Sequence, residues 1–384
     1  MKCDYCFQSE QRVTGNITDR SQYNLPKIKT SMRRLKLSHG GSSQVLHGGE
    51  ILLLPIEDLE ALLAENFDLF GRTAIQTNGL RIRDQHIALF KKYKTSLSIS
   101  LDGPTELNRL RNTGTMDQTD RSSKTIMNNI KILRKEGLRV GIISVISKLH
   151  ASKENRDLYL SWIEELEELG IDGGRMNLLQ SNHDEIRDEY EMSVSEAQEF
   201  YLYVAEWLLK RPNLNWAPFR EIIDNLLDIG TPNCVYEKCD VFSTHSVLEI
   251  LADGEIANCS KLNVEGVPFL ANLTQEKSTM RYDALRLIDH EHGGCKGCQY
   301  WSICHGHCPA DGIDGDWRKK SRFCEAWYGL YDFYYQHLKA LLPNIKLKVD
   351  RTDVENDGPN KLQPFERMRF EEMGPFASSW RSNK

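Results

Sequence analysis

Cys295-Lys-Gly-Cys-Gln-Tyr-Trp-Ser-Ile-Cys-His-Gly-His-Cys308 sets four thiols at C-x2-C-x5-C-x3-C spacing. Upstream stand Cys234, Cys239 and Cys259, the last following Gly254 by the step G-x4-C, and downstream stands Cys324. Eight of the ten cysteines therefore fall between Cys234 and Cys324, and their spacings sort into two four-ligand sites. Short Cys loops bring two sulfurs to one centre and a second segment closes the set, which suits zinc or an iron–sulfur cluster equally. The other two, Cys3 and Cys6, form a C-x2-C at the start of the chain.

The N-terminus has no apolar export segment, so the chain is expected in the reducing cytoplasm, where clustered cysteines read as metal ligands rather than disulfides. The longest apolar run, Ile51–Ile56, is far too short to span a bilayer, so no membrane partner is expected. A net charge of −6 argues against a nucleic-acid binder, which would more often carry a basic excess. At 384 residues and 40% hydrophobic content, two or three domains with a sizeable core are expected. Walker A, Rossmann glycine, H-E-x-x-H and G-x-S-x-G motifs do not occur.

Working back from the cysteines, the chain alternates short apolar runs with amphipathic stretches. Strands are expected at Ser43–His47, Thr73–Gln76, Ser96–Ser100, Val140–Ser147 and Arg175–Leu178. Helical patterns cover Ile56–Glu65, Asp84–Tyr93, Lys124–Glu136, Asn155–Leu169 and Ser193–Lys210, and the acidic stretch Ser181–Glu191 reads as a loop. This α/β alternation implies parallel βαβ units. Polar residues gather at strand ends in His47-Gly-Gly-Glu50, Gln76-Thr-Asn-Gly79 and Ser100-Leu-Asp-Gly103, as they do where a barrel's C-terminal strand ends line an active site. Beyond Cys324 a helix with an aromatic face is expected over Ala326–Leu342, then a polar tail from Val349 to Lys384.

Taken together, these motifs resemble the radical S-adenosylmethionine (SAM) enzymes with a C-terminal SPASM extension. Cys3 and Cys6 look like the second and third cysteines of the C-x3-C-x2-C loop that holds a [4Fe–4S] cluster. The first would stand upstream of Met1, so the N-terminus is expected to be truncated, or else degenerate. The implied fold is a partial (β/α)6 TIM-like barrel without its first strand, followed by the cysteine-rich SPASM domain. Expected bounds are 1–225 for the barrel, 230–330 for SPASM and 331–384 for the C-terminal helix and tail.

The resemblance further implies SAM contacts at Gly48, Gly49, Glu50, Asn78, Ser100 and Arg111. Glycines let the backbone approach the methionine end of SAM, and the carboxylate accepts from its ammonium. Ile51 stands where the family usually has proline, and Arg111 reads equally as a surface salt bridge. By the family pattern Cys234, Cys239, Cys259 and Cys308 hold one auxiliary cluster, and Cys295, Cys298, Cys304 and Cys324 the other. The full-length enzyme would carry three [4Fe–4S] clusters, the first incompletely ligated in this chain. The nearby histidines 290, 292, 305 and 307 are expected at the surface or behind the ligands.

The implied reaction is reductive cleavage of SAM to a 5′-deoxyadenosyl radical that abstracts hydrogen from a substrate C–H bond. A ribosomally made precursor peptide or protein is the expected substrate, and flavodoxin or ferredoxin the expected electron donor. Sulfatase-maturing-type oxidation of Cys or Ser, a small-molecule reaction and a non-catalytic iron–sulfur or zinc protein are the alternatives. Ser260 stands after Cys259 where the sulfatase-maturing group typically has an aspartate base.

Overall fold

The computed structural model describes residues 3–6, 20–41, 43–111, 114–171, 173–181, 183–229, 234–237, 239, 247–262 and 280–351. Along the chain run α1 (Leu25–His39), β1 (Val45–Leu46), α2 (Ile56–Phe70), β2 (Thr73–Thr77), α3 (Asp84–Lys92) and β3 (Thr95–Ser100). Next come α4 (Met116–Lys135), β4 (Val140–Ile146), α5 (Lys153–Glu168), β5 (Gly173–Leu178) and α6 (Asp184–Tyr190). There follow α7 (Val194–Leu209), β6 (Asn215–Ala217), α8 (Phe219–Leu226), β7 (Leu248–Ile250) and β8 (Ile256–Asn258). The series ends with α9 (Met280–Leu287), α10 (Trp301–Cys304) and α11 (Cys324–Leu341). Two compact units emerge: Met1–Glu191 with Leu248–Asn272, and Met192–Val247 with Leu273–Lys384.

In the first unit β1 to β5 pair in parallel, each with its neighbour in chain order. A doubly wound sheet would reverse that order at a switch point; an unreversed order is that of a TIM-like barrel, here partial. Alternate residues of β2 and β4 are buried, among them Ile75, Val140, Ile142 and Ile146. The crossover helices start where the sequence caps them. Thr115 and Gln118 close a capping box on α4, and the Ser152 side chain accepts from the Asn155 amide at α5.

All five strand expectations are met within two residues. Several elements lie outside the expectations, and three of them have a plain physical reason. The acidic stretch read as a loop contains α6, whose Asp184 and Glu185 sit in the first turn and Arg187 beyond, the order a helix dipole favours. It buries no residue, so periodicity could not announce it. Helix α1 buries only Met32 and is held to α2 by charge, with Arg33 Nε and Nη2 forking onto Glu65 at 2.6 and 2.7 Å. Strand β6 is three residues long, below the length at which alternation is readable.

In the second unit α11 packs along α7, as Trp327 meets Tyr201 at 5.2 Å between ring centroids. Its buried face is Trp327, Leu330, Tyr331, Tyr334 and Leu338, at the three- and four-residue steps of one helical stripe. The helix begins at Cys324 itself, two residues before the expected start. Residues 352–384, which include most of the expected tail, lie outside the described residues.

Candidate active site and cysteine centres

Parallel pairing brings the ends of β1 to β4 to one edge of the sheet: Leu46 lies beside Ile75, Thr77 beside Ile99, and Ser100 beside Ile143. That edge carries Gly48, Gly49, Glu50, Asn78 and Ser100. Gly48 has φ of +137°, which a side chain would strain, and a Cβ at Gly48 or Gly49 would meet nothing within 4 Å, so both backbones face open space. Glu50 is fixed from three sides. Its Oε1 accepts from the Thr77 hydroxyl at 2.6 Å and the Leu52 amide at 3.1 Å, and its Oε2 from the Asn78 amide at 2.8 Å. The Asn78 side-chain oxygen accepts from the Leu80 amide at 2.9 Å, closing its own turn. Ser100 is buried at the end of β3.

The Cys3–Cys6 turn sits against the loop that follows β3. The Asp4 amide donates to Leu110 O at 2.9 Å, and the Cys6 amide donates back to Cys3 O. Tyr5, buried, donates its hydroxyl to Asp102 Oδ2 at 2.6 Å. Arg111 Nε donates to Asp102 Oδ1 at 2.9 Å, and its Nη1 lies 3.9 Å from Cys3 Sγ. Arg111 is thus no surface salt bridge: it is 6% exposed, and Asp102 1%. Burial opposes the guanidinium charge more than any one neighbour favours it, but Asp102, Tyr5 and Cys3 together outweigh it, so Arg111 stays ionised. Beneath the network His150 Nε2 donates to Asp102 O at 2.9 Å while Nδ1 accepts from the Ser147 amide. Burial holds His150 below the usual histidine range and keeps it neutral.

Cys295, Cys298, Cys304 and Cys324, distant in sequence, line one small cavity of the second unit with Tyr300, Tyr328 and Tyr331. Cys295 and Cys298 share a tight turn, Cys304 ends α10, and Cys324 opens α11, where the helix dipole favours a thiolate. Burial first, then the charges of Cys324 and Cys298, push the Cys295 thiol up to about 12, against a smaller pull from Lys320 and Arg281. Burial and its three sister thiols raise Cys304 as well. Four thiols that resist ionising together become thiolates once a cationic centre stands among them. Among the described residues no three Cys, His, Asp or Glu side chains converge on a point as a single ion requires. A four-iron cube spaces its sulfurs more widely, and four thiols on one cavity are the kind of donor set it takes.

Of the remaining set, Cys234, Cys239 and Cys308 belong to the second unit and Cys259 to the first, where it follows β8. Cys239 is buried, and its carbonyl accepts from the Tyr282 hydroxyl. Joining these four remains a matter of sequence pattern. Of the histidines, His305 is buried between Tyr282 and Trp301 rather than at the surface, and His307 stacks on Trp327 at 4.3 Å. Ser260 gives its amide and hydroxyl to Glu249 Oε1, at 2.8 and 2.7 Å, so a carboxylate stands beside the residue after Cys259. Sequence reading assigned no role to Asp102, His150, Glu249 or Arg281. Asp102 had a signal, since it lies inside the Ser100–Gly103 stretch, and so did Tyr5, which stands between Cys3 and Cys6; the others had none.

Residues 1–150 match the Radical SAM superfamily. The chain is 20% identical over 370 residues to a cysteine-type anaerobic sulfatase-maturating enzyme of Clostridium perfringens, covering 90% of this chain and 96% of that one. A solved structure of anSMEcpe with bound AdoMet and the Cp18Cys peptide superposes with a TM-score of 0.66 at 16% identity, over 90% of this chain and 96% of that one. Streptococcus suis SuiB bound to precursor peptide SuiA gives a TM-score of 0.53 at 19% identity, over 84% and 71%. Among the described residues no helix is long and apolar enough to cross a membrane.

Proposed function

We propose, on the premise that this chain is a radical SAM enzyme with a SPASM-type extension using [4Fe–4S] clusters and SAM, that it modifies a ribosomally made peptide or protein. The observation that carries the reading is the convergence of Cys295, Cys298, Cys304 and Cys324 on one cavity. Such a fully ligated centre suits electron transfer from a peptide-sized reaction, and two structural relatives are described as bound to peptides. The domain bounds 1–225, 230–330 and 331–384 remain part of the proposal. So do a flavodoxin- or ferredoxin-type donor and a cytoplasmic setting.

Held by the chain's cysteines, a reduced cluster would supply the electron for reductive cleavage of SAM, and the 5′-deoxyadenosyl radical so formed would take hydrogen from a substrate C–H bond. The chain's residues do the rest. Cys3 and Cys6 would offer two sulfurs to that cluster, and that of Cys3 lies 3.9 Å from Nη1 of Arg111, whose charge is anchored by Asp102. Gly48 and Gly49 leave room at the strand edge for the methionine end of SAM. A carboxylate has about four acceptor positions. Glu50 uses three, one of them on Oε2, so a position on Oε2 stays open to the SAM ammonium. Asn78 and Ser100 border the same edge.

Sulfatase-maturing-type oxidation is a second reading, favoured by one observation: Glu249 sets a carboxylate at Ser260, where that group carries its aspartate base. Mass spectrometry on a precursor peptide encoded beside this gene, co-expressed anaerobically, separates the two. A crosslink joins two residues, so it loses two hydrogens and suppresses fragmentation between them, whereas formylglycine changes a single Cys or Ser to an aldehyde that a hydrazide reagent traps. An unmodified peptide in the presence of active SAM cleavage would remove the first reading.

A further inference from the structure

Arg281 opens α9 and is 2% exposed, yet its guanidinium meets no carboxylate among the described residues. A buried charge demands compensation. Here it comes from backbone carbonyls. Nε donates to Trp317 O at 2.7 Å, Nη1 to His305 O at 3.3 Å, and Nη2 lies 3.2 to 3.5 Å from Lys319, His307 and Gly306 oxygens. Three of those carbonyls belong to the turn between Cys304 and Cys308, and two to the segment that leads into Cys324.

That turn needs holding. His305, Gly306 and His307 all have positive φ, at 51°, 77° and 60°, a run that only the glycine adopts without strain. The conformation aims successive carbonyls at one point, and Arg281 stands there. A methyl group on Gly306 would lie 3.5 Å from Arg281 Nη2 and 3.7 Å from Cys295 Sγ, and would strike Leu285 Cδ1 at 2.6 Å. Guanidinium and ligand sulfur therefore flank the same glycine.

We infer that Arg281 is a positioning residue for the cluster held by Cys295, Cys298, Cys304 and Cys324: it staples the left-handed turn and sets the cluster's potential by its buried positive charge. The inference rests on the ligand set proposed above. Four thiolates on a four-iron core carry net negative charge, which a buried cation offsets, and reduction adds one more negative charge. Removing the cation therefore lowers the reduction potential.

The test is iron and sulfide content with an EPR redox titration on the full chain, in wild type, Arg281→Gln, Arg281→Lys and Gly306→Ala. Arg281→Gln is expected to titrate at lower potential than wild type. Arg281→Lys keeps charge but loses the fork, so its potential should stay near wild type while a chelator strips its iron several-fold faster. Gly306→Ala disturbs packing with the charge intact and should lower occupancy without moving the potential. If Arg281→Gln holds no cluster, Arg281→Lys decides alone. A lowered Lys potential, or chelator resistance equal to wild type, overturns the inference, as does a Gln variant filled and titrating like wild type. A wild-type protein without this cluster would instead sink the ligand set itself.

Discussion

Arg111 Nε meets Asp102 Oδ1 at 2.9 Å with both side chains almost wholly buried, and Tyr5 closes on the other oxygen of the same carboxylate. The Tyr5 bond ties the Cys3–Cys6 turn to the loop after β3. Removing one partner strands a buried charge, at a cost of about 3–5 kcal/mol. Asp102→Asn should therefore lower the midpoint of denaturant unfolding markedly, whereas Tyr5→Phe, which loses one hydrogen bond, should cost about 1–3 kcal/mol. Equal and small effects would mean that water, not Asp102, compensates Arg111.

Glu50 has its geometry fixed by Thr77, Leu52 and Asn78 before any ligand arrives. Glu50→Gln keeps the shape but loses a charge-assisted contact worth about 1.5–3 kcal/mol, so the dissociation constant for SAM should rise about tenfold or more. Equilibrium dialysis with SAM measures it. Unchanged affinity would place the SAM ammonium elsewhere.

His150 contributes a pH dependence of stability. Its folded pKa is depressed below the ordinary 6.5 by burial, so the unfolded chain takes up a proton first as pH falls. Stability from this site is complete above pH 6.5 and declines below it, by at most about 1.4 kcal/mol per pH unit until the folded group titrates. The Glu65 carboxyl, drawn down chiefly by Arg33, acts in a lower window beneath 4.5. Unfolding curves between pH 7 and 5 should flatten in His150→Gln, which can still donate to the Asp102 carbonyl. A slope identical to wild type would show that His150 does not govern this window.

Cys298 and Cys304 line the cavity of the second unit, whereas Cys3 and Cys6 lie in the first. Cys298→Ala or Cys304→Ala should leave some 5′-deoxyadenosine formation while peptide product disappears. Chromatography of the nucleoside beside mass spectrometry of the peptide reads both. Normal product from a folded variant would reduce these cysteines to structural staples.

What could be read in the sequence was what local spacing encodes. The alternation of β2 to β5 is a short-range pattern and led to the parallel sheet; the steps of Cys295 to Cys308 are another, and three of those thiols share one cavity with Cys324. Charge-held α1, solvent-facing α6 and three-residue β6 have no apolar period to read. The long-range contacts were likewise hidden. Arg111 was legible as a motif residue, but its burial depends on Asp102 and Tyr5, the latter 106 positions away. Arg281 has no motif at all, because its partners are carbonyls, which carry no sequence signature.

The most direct test is metal content by elemental analysis after anaerobic reconstitution, comparing wild type with Cys295→Ser. The variant should hold about four irons fewer per chain, with acid-labile sulfide falling in parallel and zinc near zero in both. One or two zinc ions with almost no iron in the wild-type protein, or an iron count that Cys295→Ser leaves unchanged, would contradict a four-iron centre in the second unit.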